Sequence, residues 1–240
     1  MRIRSLTRIS LAVCLAVSPL KAEPTAELAD IAARLDYGYY TASPDVLRAA
    51  RIELQRMPDD SQTDYHRALA ALRTAQLSGT EQALDDCLTH ASRVTRADAA
   101  HIEAWILVAA CASLAGRAQP LKLIFHQRRR DQALEAARRI DAQNARLAWV
   151  NAWVEGHETE FEGIQLQVAE RHLLEPVVRA YRLGGGVPDG SSWGEAEALA
   201  HLGAACMRDG DRRRARDLLE EALLVAPDYS LALKLLAKIR

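Results

Sequence analysis

Large aromatic residues are scarce in this sequence, and no apolar run is long enough to span a membrane. Phe, Trp and Tyr together make up 5% of the 240 residues, and only two of them are Phe. The apolar run near the start, Ile9–Val17, covers nine residues, whereas a membrane-spanning helix needs about 20. We therefore expect no stable membrane span.

Signatures of nucleotide binding and of serine hydrolases are also missing. Gly184, Gly185 and Gly186 are not preceded by a strand pattern, so they do not form a dinucleotide-binding fingerprint, and no Gly-Lys-Ser or Gly-Lys-Thr occurs. Ser191 and Ser192 lie outside any Gly-x-Ser-x-Gly motif. No cofactor is expected.

His157-Glu158 begins like a zinc-protease motif, but the motif is incomplete. Phe161 stands where the second His ligand must be. A metal held adventitiously by His157, Glu158 and Glu160 is the alternative. We expect a protein that is not an enzyme, with an unrecognised enzymatic site near His157 and Glu158 as the competing hypothesis.

The first 22 residues are typical of a secretory signal. Arg2, Arg4 and Arg8 precede the apolar run, and Leu20-Lys21-Ala22 offers a cleavage region. We expect export, most simply to a bacterial periplasm, with a mature chain of residues 23–240. An uncleaved interfacial anchor and acylation at Cys14 are the alternatives.

Excess positive charge is absent. The chain has 31 Lys and Arg against 32 Asp and Glu, and removing Arg2, Arg4, Arg8 and Lys21 leaves 27 against 32, a net charge of −5. Nucleic-acid binding depends on neutralising phosphates, so it is not expected.

Cysteines are few, and three follow the signal: Cys87, Cys111 and Cys206. An exported compartment permits disulfides, but an odd number leaves at least one thiol unpaired within the chain. Cys206 is expected to be buried and inert. Cys87 and Cys111 are either bridged or independently buried.

Strand patterns are absent, while apolar and small residues recur at intervals of three and four, which predicts helices. The pattern is clearest in Ala196–Tyr229. There, Gly203 and Ala215 are small where two antiparallel helices approach, Gly210 ends the first helix and Pro227 stops the second.

Those residues resemble the tetratricopeptide (TPR) helix-turn-helix unit, whose period is about 34 residues. The resemblance implies an all-α solenoid of antiparallel helix pairs, with four to five repeats in residues 23–240. A C-terminal helix with Leu231, Leu233, Leu235 and Leu236 is expected to cap it. Two irregular segments are expected: an insertion at 116–129 that packs back on the array, and a glycine-rich connection at 184–194.

Three further features follow from the pattern. After the insertion, the next helix is expected to resume near Asp131. A helix from Phe161 to Leu183 is expected to be interrupted at Pro176. The tyrosine cluster Tyr37, Tyr39 and Tyr40 is expected to pack at the end of the array.

A TPR-like array implies an interaction role through a concave face built from the first helices. Trp149 and Trp153 would share that face with Glu103 and Ile106 of the preceding unit and with His201 and Arg208 of the following one. Burial of both tryptophans under the insertion is the alternative. Trp193, after Pro188, marks a second candidate surface.

We therefore expect a periplasmic adaptor or scaffold that binds a protein or peptide of unknown identity. A structural protein that self-associates through the array ends is a further alternative. The oligomeric state is not predicted.

Overall fold

The computed structural model describes the backbone of residues 26–161, 163–184 and 193–239. Side chains are described for the same residues except 157–161 and 165–168. The predicted signal segment at 1–22 and most of the glycine-rich connection, including Pro188, lie outside the described residues.

Helices dominate the described chain, and two short strands accompany them. The elements are α1 (Ala26–Tyr40), α2 (Pro44–Arg56), α3 (Ser61–Ser78), α4 (Glu81–Ala97), α5 (Ile102–Ala118), a 3-10 turn (Pro120–Lys122), α6 (Leu123–Ile140), α7 (Ala145–Glu155), β1 (His157–Phe161), β2 (Ile164–Val168), α8 (Arg171–Arg182), α9 (Glu195–Arg208), α10 (Arg212–Val225) and α11 (Ser230–Leu236).

Helix boundaries follow from local chemistry. Asp60 and Asn144 each accept a hydrogen bond from a backbone N–H in the first turn of α3 and α7, at 2.7 and 2.9 Å. Pro44 occupies the first turn of α2, where its missing N–H is harmless. Gly210 adopts φ +83° just after α9, which is the conformation that lets the chain turn into α10.

Successive helices pack as pairs: α1 with α2, α3 with α4, α5 with α6, α7 with α8, and α9 with α10. The short α11 then packs on α10 and α9. The predicted all-α class, with helix pairs in a repeat-like arrangement, is confirmed. None of the described helices has both the length and the apolar character needed to cross a membrane.

The close approach predicted at Gly203 is confirmed. A Cβ added at Gly203 would lie 2.9 Å from Leu219 Cγ and 3.4 Å from the backbone oxygen of Ala215. Glycine therefore allows α9 and α10 to pack more closely than any other residue would.

The insertion predicted at 116–129 is wrong. Helix α5 continues to Ala118, a 3-10 turn follows, and α6 begins at Leu123 rather than near Asp131. The apolar residues of this segment do not pack back on the array, since Leu121, Ile124 and Phe125 are exposed. Pro120 lies at the start of the 3-10 turn, a position where a helix tolerates proline. It therefore separates α5 from α6 without requiring a longer connection.

The helix predicted from Phe161 to Leu183 is also wrong in its first part. Residues 157–161 and 164–168 form an antiparallel hairpin in which His157 pairs with Val168, and α8 begins only at Arg171. Thr, Phe, Ile and Val are good strand formers, and Gly163 adopts φ +75° at the turn. The expected break at Pro176 does not occur, because α8 runs through it.

Cys87 of α4 and Cys111 of α5 form a disulfide, with their Cα atoms 6.2 Å apart. Of the two alternatives, the bridge is the one present. Cys206 is a buried free thiol, as expected.

Candidate functional site

The first helices of the pairs carry charged residues that meet inside the molecule. Glu103 of α5 accepts hydrogen bonds from the Arg146 guanidinium of α7 at 2.5 Å and from the Asn144 amide at 3.1 Å. The side chains of Arg146 and Glu103 are 0% and 4% exposed. Asn144 also caps α7, so one residue fixes both the helix start and the carboxylate.

A second ion pair joins helices that are far apart in sequence. Arg73 of α3 donates to Glu197 of α9 at 2.5 Å, and the two side chains are 1% and 2% exposed. The other Glu197 oxygen accepts from the Tyr40 hydroxyl and from the Gly194 backbone N–H, each at 2.8 Å. This carboxylate therefore ties α1, α3 and the start of α9 together.

Trp193 lies between the two ion pairs. Its ring centroid is 4.4 Å from the Arg146 guanidinium carbon and 5.6 Å from that of Arg73, within the range of a cation–π contact. Its indole N–H donates to the Tyr65 hydroxyl at 3.2 Å, and its carbonyl accepts from Arg146 Nε at 3.0 Å. Trp193 is thus an organising residue of the interior.

The chain can deliver Trp193 to this position because a glycine follows it. Gly194 adopts φ +101°, and a Cβ there would lie 2.3 Å from the Tyr181 hydroxyl and 3.2 Å from Trp149 Cδ1. Any other residue at 194 would be strained in its backbone and would collide with Tyr181.

Electrostatics favour the charged form of the second ion pair. Burial raises the pKa of the Glu197 carboxyl, but the charge and hydrogen bond of Arg73 outweigh burial, so that this pKa lies below its ordinary value. Burial lowers the pKa of Arg73, whereas the negative charge of Glu197 raises it above its ordinary value. A carboxylate held in this way is a poor proton acceptor near neutral pH.

Most of the residues predicted to form a concave binding face lie in this interior. Those that are buried are Trp149, Trp153, Ile106, Glu103 and His201. Trp193, predicted to mark a second surface, is buried as well. Arg208 is partly exposed and lies 3.3 Å from Glu170. The expectation of an open face presenting these side chains is wrong, because the first helices come close enough for their facing charges to pair across the interior. Trp149 and Trp153 are both buried, as the alternative prediction held, but the segment 116–129 is not what covers them.

Trp149 and Trp153 are covered by neighbouring aromatic and cationic side chains. The Trp149 ring meets the His201 ring edge-on with centroids 5.1 Å apart. The Arg117 guanidinium carbon lies 5.6 Å from the Trp153 ring centroid.

A cleft of about 570 Å³ opens beside this interior. Its lining residues are Tyr39, Ala42, Gln76, Leu77, Leu114, Arg117, Trp153, Ile164, His201, Tyr229, Ser230, Leu231 and Lys234. Two of the predicted residues, Trp153 and His201, therefore form part of its wall. Among the residues whose side chains are described, the lining contains the cations Arg117 and Lys234 and no carboxylate.

The aromatic wall of the cleft is anchored to the buried ion pair. The Arg73 guanidinium carbon lies 3.7 Å from the Tyr39 ring centroid. Burial raises the pKa of Tyr39 to about 12 even though the Arg73 charge lowers it, so Tyr39 presents a neutral phenol at physiological pH. The Tyr229 and Tyr39 ring centroids are 6.4 Å apart.

The competing enzymatic site is not assembled among the described side chains. His157 and Glu158 lie on β1, and their side chains are outside the described residues. Elsewhere in the described part of the chain, no cluster of three or more His, Cys, Asp or Glu residues is arranged to hold a metal ion.

Sequence reasoning missed several residues that organise the site. Arg73 and Arg146 had a usable signal, because each stands among alanine and leucine on a first helix, where a charge must find a partner once buried. Tyr39 was predicted to pack at the end of the array, and no role was predicted for Lys234. Their place in a cleft depends on α1, α5 and α11 meeting, which no local pattern indicates.

No protein-family model matches the chain, and no curated protein matches it with significance.

Proposed function

We propose that the protein is a TPR-like adaptor that binds a segment of a partner protein in the cleft lined by Trp153 and His201. The observation that carries the proposal is the cleft itself, whose described lining combines aromatic walls with two cations and contains no carboxylate. Its volume of about 570 Å³ falls within the range of about 300–1,000 Å³ for ligand-binding clefts.

The chemistry of the lining defines what binds. Tyr39, which is partly exposed, offers most of the aromatic surface, while Trp153 and Tyr229 line the cleft with 7% and 4% of their surface exposed. Aromatic residues are favoured at the energetic centres of protein interfaces. Arg117 and Lys234 favour a segment with neutral or negative side chains through electrostatic complementarity. The partner segment is therefore apolar, with any charge negative.

The architecture supports an interaction role. The α9–α10 pair carries the residues that resemble a TPR unit, and its glycine makes the close helix contact that such a unit requires. Six helices contribute to the cleft, from α1 at Tyr39 to α11 at Lys234, so the stacked pairs create a surface that none of them has alone. Export to the periplasm is part of the proposal and places the partner in the cell envelope.

Site-specific photo-crosslinking in the producing cell tests the proposal. A photoreactive amino acid replaces Lys234 at the cleft, and Leu224, exposed on α10, serves as the matched control position. We expect a discrete protein adduct from position 234 that is missing from position 224. Ser230→Trp, which fills the cleft from the start of α11, should abolish the adduct while circular dichroism stays unchanged.

Two outcomes would oppose the proposal. One is the same set of adducts from both positions. The other is an adduct that persists at full yield in the Ser230→Trp variant, since the partner would then contact α11 without entering the cleft. Recovery of the exported chain from the cytoplasm alone would remove the periplasmic part of the proposal.

A further inference from the structure

A cluster of large apolar side chains projects from the corner between α5 and α6. Leu121, Leu123, Ile124 and Phe125, which we term the apolar tip, are all exposed, and Leu121 is fully so. Ile124 and Phe125 retain 67% and 61% of their surface. Four such residues within five positions form a contiguous patch, and contiguous apolar patches mark interaction sites.

The tip is a convex corner and not part of a groove. The 3-10 turn Pro120–Lys122 lifts Leu121 away from the body, while the adjacent His126 is buried and anchors the first turn of α6. His126 Nε2 lies 3.2 Å from the Gln119 side-chain oxygen. The apolar side chains therefore project from a well-anchored base.

The charge around the tip is positive. Residues 117–130 contain five Lys or Arg and no Asp or Glu. Lys122 lies between Leu121 and Leu123 in the sequence. Arg128 follows Phe125 by three positions and so lies on the same face of α6. Both cations are exposed.

Three other charged residues nearby have partners, and the negative charge of Asp85 on α4 acts on the buried His126. Arg129 turns toward α4, where it donates to Ser92 Oγ at 2.5 Å, and Arg130 pairs with Asp131. The carboxylate of Glu81 on α4 accepts from Gln119. Lys122 and Arg128 thus remain as the cations beside the apolar tip.

This combination points to one occupant. We propose that the apolar tip inserts into the headgroup region of a bilayer that contains anionic lipids, and that Lys122 and Arg128 bind the lipid phosphates. Exposed Leu, Ile and Phe side chains flanked by Lys or Arg are what binding at a lipid interface requires.

Two other occupants fit the charges less well. A second copy bound symmetrically would bring Lys122 and Arg128 toward the same two cations of its partner, which is unfavourable. The chain's own residues 1–22 carry Arg2, Arg4, Arg8 and Lys21 and no acidic residue, so they too would be repelled.

Vesicle co-sedimentation tests the proposal. The protein is residues 23–240, which keeps every described residue and removes an apolar run that could bind lipid by itself. The vesicles contain either phosphatidylcholine alone or equal parts of phosphatidylcholine and phosphatidylglycerol. We expect binding to the mixed vesicles that weakens with added salt, and little binding to phosphatidylcholine.

Two variants dissect the interaction. Ile124→Ser with Phe125→Ser should weaken binding to mixed vesicles by at least about tenfold, because two large apolar side chains are lost. Lys122→Glu with Arg128→Glu should weaken it by about tenfold or more and remove the salt dependence. The matched control Leu224→Ser changes an equally exposed residue on α10 and should bind like the wild type. Circular dichroism verifies that each variant is folded.

The proposal fails if the wild type does not sediment with mixed vesicles, or if the Ile124/Phe125 variant binds as well as the wild type. It also fails if the wild type is a dimer that the same variant dissociates without any vesicle binding, since the tip would then be a contact between copies. The tip and the cleft share no lining residue, so the crosslinking test of the adaptor role is independent of these outcomes.

Discussion

Charged side chains lie in different places on the first and second helices of the pairs. On α3, α5, α7 and α9 they meet in the interior, as the Arg73–Glu197 and Arg146–Glu103 pairs, with side chains no more than 4% exposed. On α6 the Arg139–Glu135 pair lies within one helix at 76% and 52% exposure. The same residue types thus form fully buried pairs between first helices, whereas the pairs of the second helices keep more of their surface exposed, including those between helices such as Arg51–Asp86 at 29% and 31%.

This difference explains why the first helices do not present an open binding face. The buried pairs span sequence separations of 124 and 43 residues. The Arg73–Glu197 pair joins α3 with α9, whose helix pairs are not neighbours along the chain, and the Arg146–Glu103 pair joins α5 with α7 of adjacent pairs. Buried ion pairs are not strong sources of net stability, but removing one partner leaves an uncompensated charge. We therefore expect large losses in the free energy of unfolding when a charge buried between first helices is removed. Removal of an exposed charge on a second helix should have a small effect.

The largest effect is expected for Glu197→Ala. The change leaves Arg73 buried without its counter-charge and removes the acceptor of the Tyr40 hydroxyl, and breaking such a pair costs about 3–5 kcal/mol. Glu135→Ala on α6 is the matched control and should change the free energy of unfolding by less than about 1 kcal/mol. Urea unfolding measures both, and equal small losses would mean that the inner pair is not buried.

The disulfide joins a second helix to a first helix, since Cys87 lies on α4 and Cys111 on α5. Replacing both by Ala should lower the free energy of unfolding by about 3 kcal/mol, because the bridge closes a loop of 24 residues. Cys206→Ala, which removes a buried free thiol, should cost about 1 kcal/mol. Titration of denatured, unreduced residues 23–240 should give one free thiol, and three would contradict the bridge.

A smaller loss of stability is expected from disturbing the close contact between α9 and α10. Gly203→Ala places a Cβ 2.9 Å from Leu219 Cγ and should cost about 1–3 kcal/mol through overpacking. Gly116→Ala is the same change in α5, where the nearest atom, Leu123 Cδ1, lies at 3.3 Å, and its better helix propensity should keep it near neutral. Thermal unfolding ranks the two, and a reversed order would show that α9 and α10 do not approach as described.

The smallest effect is the response of the inner pair to mild acid. The pKa of Glu197 is below its ordinary value of 4.5 in the folded state, so its contribution is complete well above pH 4.5 and is lost as pH falls through the folded pKa. At pH 4.5 the unfolded carboxyl is half protonated, and about 0.4 kcal/mol is lost relative to pH 7. Wild type should therefore lose more stability between pH 7 and pH 4.5 than Glu197→Gln does, as measured by urea unfolding. Equal losses would mean that the pKa of Glu197 is not lowered by folding.

The helices were predictable where local rules determine them. Gly203 lies at a close contact between helices, Gly210 adopts a left-handed conformation, and Pro227 follows the end of α10. Each of these positions favours its residue for a local reason, so this helix pair could be predicted from the sequence. The connection after Gly116 could not, because an apolar run at a helix start has the same composition whether it packs or protrudes. Only the tertiary position of α6 exposes Phe125.

The candidate site was predictable only in part. Trp153 and His201 were correctly placed on neighbouring first helices, and both line the cleft. Burial of Trp153 was one of two alternatives, and burial of His201 was not predicted. The Arg73–Glu197 pair in the same interior joins residues 124 positions apart, which no local pattern indicates. The hairpin of 157–161 and 164–168 was missed although it had a usable signal, since apolar and polar residues alternate in Ile164–Val168 with the period of a strand.

Hydroxyl-radical footprinting of the four tryptophans, read by mass spectrometry, tests most directly whether the first helices enclose a core. Trp149 and Trp193 are 5% and 2% exposed, whereas Trp105 is only partly buried. We expect slow oxidation of Trp149 and Trp193, an intermediate rate for Trp153 beside the cleft, and the fastest rate for Trp105. Oxidation of Trp149 and Trp193 as fast as that of Trp105 would contradict this expectation and restore the open concave face.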